Sequence, residues 1–269
     1  MSEIFLYNDA DIRMHHRRDM HPHPDDFPIH AHGTHEMLYF IAGRGEYYVE
    51  GTAYRLIPGS LLLMRTGETH YLKISPDYPY ERIAIHFSQQ ILTAVDSQGI
   101  LSAMLFDRPL GQRNQYRPEQ LHTELVQSCL SAITGDPAVA GYSQERQRLL
   151  IISNLYPILC DARRCFDQPV IKEDTPLGAI HQVIAYINCH LSEELNLDTL
   201  AEIAAVSKSY LNRQFRQVTG TTLWEYTILK RLMLARQYIR EKIPAGEVAL
   251  LCGWSDYSSF YRQYKAHFG

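Results

Sequence analysis

The stretch HAHGTHEMLYFIAG, His30 to Gly43, places three histidines and a glutamate within seven residues before turning apolar. Neutral imidazoles and one carboxylate suit Fe, Mn, Ni or Zn if they converge on one point. The same groups could instead line a polar pocket, or be satisfied by neighbours inside a folded core. Strand alternation sorts the stretch. Leu38 and Phe40 share the parity of Glu36 and could form an apolar floor beside it, whereas His35 has the opposite parity and is expected outside. His15, His16, His21 and His23 fall in a Pro-rich arm and carry little information.

A second set of chemistry-bearing residues is basic. From Thr175 onward there are ten Lys and Arg against eight Asp and Glu, while the remainder carries sixteen against twenty-two. Ala204–Arg240 alone holds seven basic residues and one acidic residue, Glu225. A basic segment on a chain of net charge −4 points to an anionic partner for that segment.

The elements that must position these residues fall into two halves. Up to about residue 90, EMLYFIA, GEYYVEG, AYRLIPG, SLLLMR, HYLKI and ERIAIHF read as short strands with Gly or Pro at several junctions. That spacing predicts an antiparallel sandwich or barrel. Helical patterns follow at Pro118–Ile133, with Leu121, Leu125 and Ile133 in phase, and at Ser143–Phe166, where Pro157 should kink the helix. Leu149, Leu150, Ile151, Ile152 and Leu155 offer more apolar surface than one barrel needs, so dimerisation through these helices is expected. DQPVIKEDTP, at 167–176, breaks every period and reads as a linker.

No apolar run is long enough to cross a bilayer, and MSEIFLYND lacks a basic-then-apolar signal pattern. The five cysteines are odd in number and form no C-x-x-C pair, which fits reduced thiols. A cytoplasmic location without membrane contact is expected.

The C-terminal half contains a repeat. LAEIAAVSKSYLNRQFRQ from Leu200 aligns with VALLCGWSDYSSFYRQYKA from Val248 at an offset of 48, and the second copy then gains one residue. Each copy reads as helix, tight turn, helix. Ala201 or Ala249 permits a close helix crossing, and Ala205 or Gly253 sits in the turn, where either bulk would clash or a positive φ is needed. Val206 or Trp254 plugs the angle, and Ser207 or Ser255 caps the second helix. LWEYTILKRLMLARQYIR, between the copies, is a helix of good formers that fixes their separation.

These residues resemble the paired helix-turn-helix module of the AraC/XylS family of bacterial transcription regulators over 180–268. The resemblance implies that each second helix enters the major groove, roughly 34 Å from the other along one DNA face. Matching base-facing positions are Ser209, Asn212 and Arg213 in the first copy, and Tyr257, Ser258, Ser259, Tyr261 and Arg262 in the second. Arg suits guanine, Asn suits adenine, and hydroxyls take either role. Lys208, Arg216 and Lys265 are phosphate contacts in this reading, with Leu211, Phe215, Phe260 and Tyr264 as core. The family usually continues past the final Gly with Pro and an aromatic residue. This sequence stops at Gly269, so either it is truncated or its last helix lacks that brace.

The first half resembles the cupin barrel, whose first box H-x-H-x3-E-x6-G fits His30, His32, Glu36 and Gly43. GSLLLMRTGETH fits the second box through Gly59, Gly67 and His70, with Arg65 where Pro is common. In cupin enzymes such residues hold a transition metal, here His30, His32, Glu36 and His70. In the AraC/XylS family the barrel commonly binds a small effector without metal. An effector pocket of His30, His32, Glu36, Leu38, Phe40, His70 and Arg82 is therefore expected, Arg82 by its place in YERIAIHF.

The expected architecture is α+β with two domains. Residues 1–166 form a cupin or jelly-roll antiparallel β-barrel (about 1–90) with appended helices (about 117–166), for effector binding and dimerisation. Residues 177–269 form an all-α double helix-turn-helix. The expected function is a homodimeric regulator that binds double-stranded DNA in response to a sugar or related metabolite, without catalysis and with no required cofactor. The resemblance also admits RNA polymerase as a partner. The competing readings are a metal-dependent cupin enzyme with a helical appendage, and a DNA-binding protein whose barrel is only a dimerisation scaffold.

Overall fold

The computed structural model describes residues 2–168 and 178–269. Eight strands come first: β1 (Ser2–Asn8), β2 (Ile12–Asp19), β3 (His35–Ala42), β4 (Gly45–Val49), β5 (Thr52–Arg55), β6 (Leu61–Met64), β7 (His70–Ile74) and β8 (Tyr80–Phe87). Two short helices, α1 (Gln89–Thr93) and α2 (Ile100–Phe106), lead to a two-residue strand, β9 (Gln115–Tyr116). Helices α3 (Thr123–Thr134) and α4 (Gln144–Phe166) complete this half. The strands form a six-stranded antiparallel sheet, β1-β2-β8-β3-β6-β9, and a three-stranded sheet, β5-β4-β7. His30 adds an isolated bridge to His70 at the other edge of β7.

The large sheet is covered on both faces, which is why β8 is buried along its whole length. Met37, Tyr39, Leu63, Ile83 and Ile85 pack on one face against Val126, Leu130, Ile151 and Leu155 of α3 and α4. Leu38, Phe40, Leu62 and Met64 pack on the other against Tyr47, Val49 and Leu72 of the small sheet. A one-residue register slip would exchange these two sets, so burial on both sides fixes the pairing.

All six strands expected from alternation form. β1 and β2 were not among them. IRMHHRRD hides its alternation in charge, and it is a strand because β8 pairs with it from Ile12↔Phe87 to Asp19↔Tyr80. His15 and His16 therefore belong to a sheet, not to an arm. His35 does face away from Glu36, but it is buried under the helices rather than outside. Its Nε2 meets Gln89 Oε1 at 2.8 Å, and its Nδ1 accepts from the Thr66 amide.

Helix α3 buries Val126, Cys129, Leu130 and Ile133 and leaves Leu125 exposed, against the expected phase. Helix α4 is capped by Ser143 and runs on through Pro157, whose missing N–H cannot donate to the Ser153 carbonyl. The apolar excess expected to drive dimerisation is mostly used internally. Ile151 and Leu155 are fully buried, Leu150 and Ile152 pack against the same core, and Leu149 alone of the five is exposed. The linker expected at 167–176 falls outside the described residues from 169 onward.

The second half is helical: α5 (Ala179–Cys189), α6 (Leu197–Ile203), α7 (Lys208–Thr219), α8 (Leu223–Arg240), α9 (Ala245–Leu251) and α10 (Tyr257–Phe268). Pairs α6/α7 and α9/α10 are the two copies of the repeat. Their turns place Ala205 at φ 52° and Gly253 at φ 80°, the left-handed conformation that was one of the two alternatives expected there. Val206 is half-buried and Trp254 buried at the matching corners. Ser207 caps α7, but Asp256 rather than Ser255 caps α10, accepting from the Ser259 amide at 2.8 Å. The residue gained by the second copy shifts its cap by one place. Helix α8 begins with a Thr222–Glu225 capping box. Its buried Arg231 ties the α5–α6 connection to the turn of the second motif by donating to Leu191 O, Glu193 O and Gly253 O.

Candidate functional site

On the inner face of the large sheet the register aligns Glu36 with His86, Leu38 with Ala84 and Phe40 with Arg82. Glu36 thus lies beside His86 on one floor, with Leu38 and Phe40 continuing it as expected. The loop before β3 brings His30 and His32 over this floor, and the start of β7 brings His70. Ring centroids separate His30 from His70 by 4.4 Å, His32 from His86 by 4.4 Å and His30 from His32 by 4.9 Å. Glu36 Oε2 is 3.2 Å from His70 Nε2 and 3.4 Å from His32 Nε2. These approaches are not aligned as hydrogen bonds, and Glu36 Oε2 and His70 Nε2 have no such partner among the described residues. Donor atoms of His30, His32 and His70 lie within 4.8 Å of one another, as do those of His32, Glu36 and His86.

Burial pushes His30 and His15 down to about 3 and His86 down to about 4, so these imidazoles are neutral near pH 7. Burial would raise Glu36, but His86, His32 and His70 around it hold its carboxyl well below the usual range. For His70, burial works downward and the Glu36 carboxylate outweighs it, raising the imidazole above its ordinary value.

Arg82 is buried with its guanidinium carbon 4.5 Å from the centre of the Tyr80 ring and 5.5 Å from that of Phe27. Its Nη1 has no hydrogen-bond partner among the described residues. An interior that holds a cation, a carboxylate and several neutral imidazoles beside Leu38 and Phe40 can orient a small polar molecule. Arg65, where the second box departs from its pattern, donates to the carbonyls of Leu105 and Arg108 and so braces the loop carrying His70.

His86 was missed by the sequence boxes. Its signal was its parity: Arg82, Ala84 and His86 alternate on one strand, so a pocket role for Arg82 implies one for His86.

The nucleic-acid candidates lie on α7 and α10. Ser209, Asn212, Arg213, Tyr257, Ser258, Tyr261 and Arg262 are exposed, and Ser259 is half-buried with its Oγ 3.3 Å from Arg262 Nη2. Leu211, Phe215 and Phe260 are buried and Tyr264 half-buried, so each helix turns a polar face outward. The Arg213 guanidinium carbon is 5.3 Å from the Tyr210 ring centre, and Asn212, Arg213, Arg216 and Thr222 border one open depression. Arg216 and Lys265 are exposed, whereas Lys208 is ion-paired with Asp198.

A third set joins the halves. Glu50, 1% exposed, accepts from Lys230 Nζ at 2.8 Å, from the Tyr226 hydroxyl and from the Thr69 amide. Lys230 also donates to Gly67 O, and Arg240 to Gly33 O. Ala31 packs against Leu229 and Met233 of α8. The helix between the two motifs is thus seated on the loop that carries His30 and His32.

No helix among the described residues is long and apolar enough to cross a membrane. Residues 16–157 match the family described as the AraC-like ligand binding domain, and residues 200–269 match a helix-turn-helix domain. Over 246 residues the chain is 23% identical to the HTH-type transcriptional activator RhaS of Escherichia coli O1:K1, covering 90% of this chain and 85% of that one. Among solved structures, ToxT from Vibrio cholerae O395 aligns with 96% of this chain and 94% of its own at 12% identity and a TM-score of 0.37. A transcriptional regulator from Chromobacterium violaceum, described by its AraC-type DNA-binding domain, aligns with 34% of this chain and 81% of its own at 28% identity and a TM-score of 0.32. With its ligand-binding fold matched over more than half its length and a helix-turn-helix domain behind it, the chain belongs to the AraC family of ligand-responsive transcription regulators.

Proposed function

We propose that residues 1–166 bind a small polar effector, a sugar or related metabolite, and that residues 177–269 carry that signal to double-stranded DNA. The observation that supports the DNA half is the pair of matched turns at Ala205 and Gly253, each followed by a helix with an exposed arginine. Arg213 and Arg262 read bases, together with Ser209, Asn212, Tyr257, Ser258, Ser259 and Tyr261. Arg216, Lys265 and Lys208 contact phosphate, Lys208 after leaving Asp198. The effector is held by His30, His32, Glu36, His70 and Arg82 over Leu38 and Phe40, and His86 joins this set. Activation is the proposed direction, since the RhaS relatives are described as activators. Leu125 and Leu149 are the exposed apolar residues left for a dimer through α3 and α4. Sedimentation of the full chain should give a dimer, which Leu149→Asp weakens. A monomer at high micromolar concentration removes this part of the reading.

The deciding experiment is a promoter-binding titration against a metabolite panel. Arg213→Ala and Arg262→Ala should each weaken specific binding by ~1–3 kcal/mol and relax base preference in their own half-site. Equal weakening on specific and random DNA would assign them to phosphate instead. In the same titration Glu36→Gln should shift effector-dependent binding and leave effector-free binding unchanged. A response identical to the wild type's would remove Glu36 from the effector site.

A further inference from the structure

We infer that the effector carries a single carboxylate, bound by Arg82, so that its class is a small hydroxylated carboxylic acid, such as a sugar acid, and not a neutral sugar. The inference rests on the effector reading above and names the ligand class for the same interior.

The charge balance of the interior carries it. Arg82 is 7% exposed, keeps its proton throughout the physiological range, and has an Nη1 without a hydrogen-bond partner among the described residues. Glu81, Glu3 and Glu36 do not neutralise it. Glu81 faces the other side of the sheet, where it meets His16 and Arg18, both at 2.7 Å. Glu3 pairs at 3.0 Å with Arg17, which lies across from Arg82 in the β2–β8 register. Glu36 sits at the other end of the floor, opposite His86, and is 3.2 Å from His70 and 3.4 Å from His32. The Tyr80 and Phe27 rings hold the guanidinium, but a ring supplies no counter-ion. A buried charge left without a partner is costly, and an anion brought in from outside removes that cost. The planar guanidinium fork matches a carboxylate through two parallel hydrogen bonds.

The rest of the floor indicates what the acid is attached to. Arg82, Ala84 and His86 alternate on β8, with His15 of β2 and Leu38 of β3 on either side of Ala84. Ala84 presents one methyl group, which leaves room over the middle of the floor for a short carbon chain. His15 is buried with its Nδ1 unpartnered among the described residues, and its imidazole is neutral, so it can serve one hydroxyl. Four residues of strand, ~13 Å at ~3.3 Å each, separate the two charged ends, and the Arg82 side chain shortens that span. At the far end Glu36 accepts hydrogen bonds but repels negative charge. A second anionic group would meet that carboxylate, so the ligand has one charge. One carboxylate on Arg82, with hydroxyls toward His15, His86 and Glu36, satisfies the groups that the fold leaves open.

The test titrates the full chain by calorimetry with gluconate, galactonate and galacturonate, each beside its parent aldose and that aldose's phosphate ester. At least one acid should bind about 10–100-fold more tightly than its parent aldose, the range that one hydrogen-bonded charge supplies. The phosphates should bind no more tightly than the aldoses. Arg82→Gln should erase the preference for the acid, whereas Arg82→Lys, which keeps the charge and loses the fork, should weaken the acid and still prefer it. Circular dichroism of each variant separates lost binding from lost folding, and Arg82→Lys decides if Arg82→Gln fails to fold. Without ligand, Arg82→Gln should melt no lower than the wild type, because it removes a buried charge that has no partner. An arginine kept only for its packing on Tyr80 would give a lower melting temperature, and that result would overturn the assignment. Acids that bind no better than their aldoses, or an acid preference that survives Arg82→Gln, would overturn it too. A phosphate bound more tightly than every acid would overturn the single charge. In each of these cases an aldose that still shifts promoter binding leaves the effector reading intact. An acid that binds through Arg82 without any effect on promoter binding supports the site and removes the effector reading instead.

Discussion

Arg108→Met should destabilise the N-terminal half by about 3–5 kcal/mol, the cost of leaving one partner of a buried ion pair alone. Arg108 and Glu68 both have fully buried side chains. Arg108 meets both Glu68 oxygens, at 2.6 and 2.8 Å, and also donates to the carbonyls of Met104, Gln112 and Leu63. Removing the guanidinium leaves the carboxylate with only the more distant Arg65, its Nε 3.9 Å from Glu68 Oε1, as a charged partner, and frees those acceptors inside the fold. Glu68 keeps bonds from the Arg65 and Gly111 amides and from Asn114 Nδ2, which places the loss toward the lower end of that range. Urea unfolding followed by circular dichroism measures the effect. Tryptophan fluorescence serves as an internal control, because Trp224 and Trp254 both lie in the C-terminal half. Arg108→Met combined with Glu68→Leu should recover much of the loss, since a matched apolar pair strands no charge. A single substitution that unfolds like the wild type would show that the pair contributes nothing. The site depends on this pair, because Glu68 O also orients the His70 ring.

Glu50→Leu should release the DNA-binding half from the sheet domain. Lys230 is 6% exposed and Glu50 is fully buried at the side chain, so losing the carboxylate leaves an ammonium in the interface. The same ~3–5 kcal/mol then acts against the docked arrangement, and the lower figure already raises the undocked population by about 100-fold. Hydrogen exchange should accelerate in α8 and around Gly67–Thr69, and small-angle scattering should report a larger radius. Glu50→Leu with Lys230→Met should restore docking. Unchanged exchange in the single variant would show that Ala31, Leu229, Met233 and the Arg240–Gly33 bond suffice to hold the interface.

The repeat in the second half was legible because each motif is built from residues near one another in the chain. The small residue, the left-handed turn and the plug follow within a few positions, and local sterics alone demand them. The strands from Glu36 to Phe87 were legible for a similar reason, since alternation and turn residues are local signals. What failed needed a partner from elsewhere. β2 carries too much charge to announce itself and exists because β8 lies beside it. Parity put His35 on the correct face, but only helices α1 and α2 decided that this face was buried. The apolar residues of α4 did not reveal which of them the sheet would consume. The inserted residue moved the second cap from Ser255 to Asp256, a shift that only the turn geometry resolves.

The site divides in the same way. The match of His30, His32, Glu36 and His70 to the two cupin boxes was what brought those four together in the sequence. His86 joined them through the β3–β8 register, which pairs it with Glu36 across fifty residues of chain. The seat of α8 on the histidine loop, closed by Glu50 and Lys230, spans 180 residues. A sequence fixes which residues can be neighbours along a helix or strand. Which elements then share a buried charge is decided only when the two halves pack, because an ion pair leaves no periodicity in the chain.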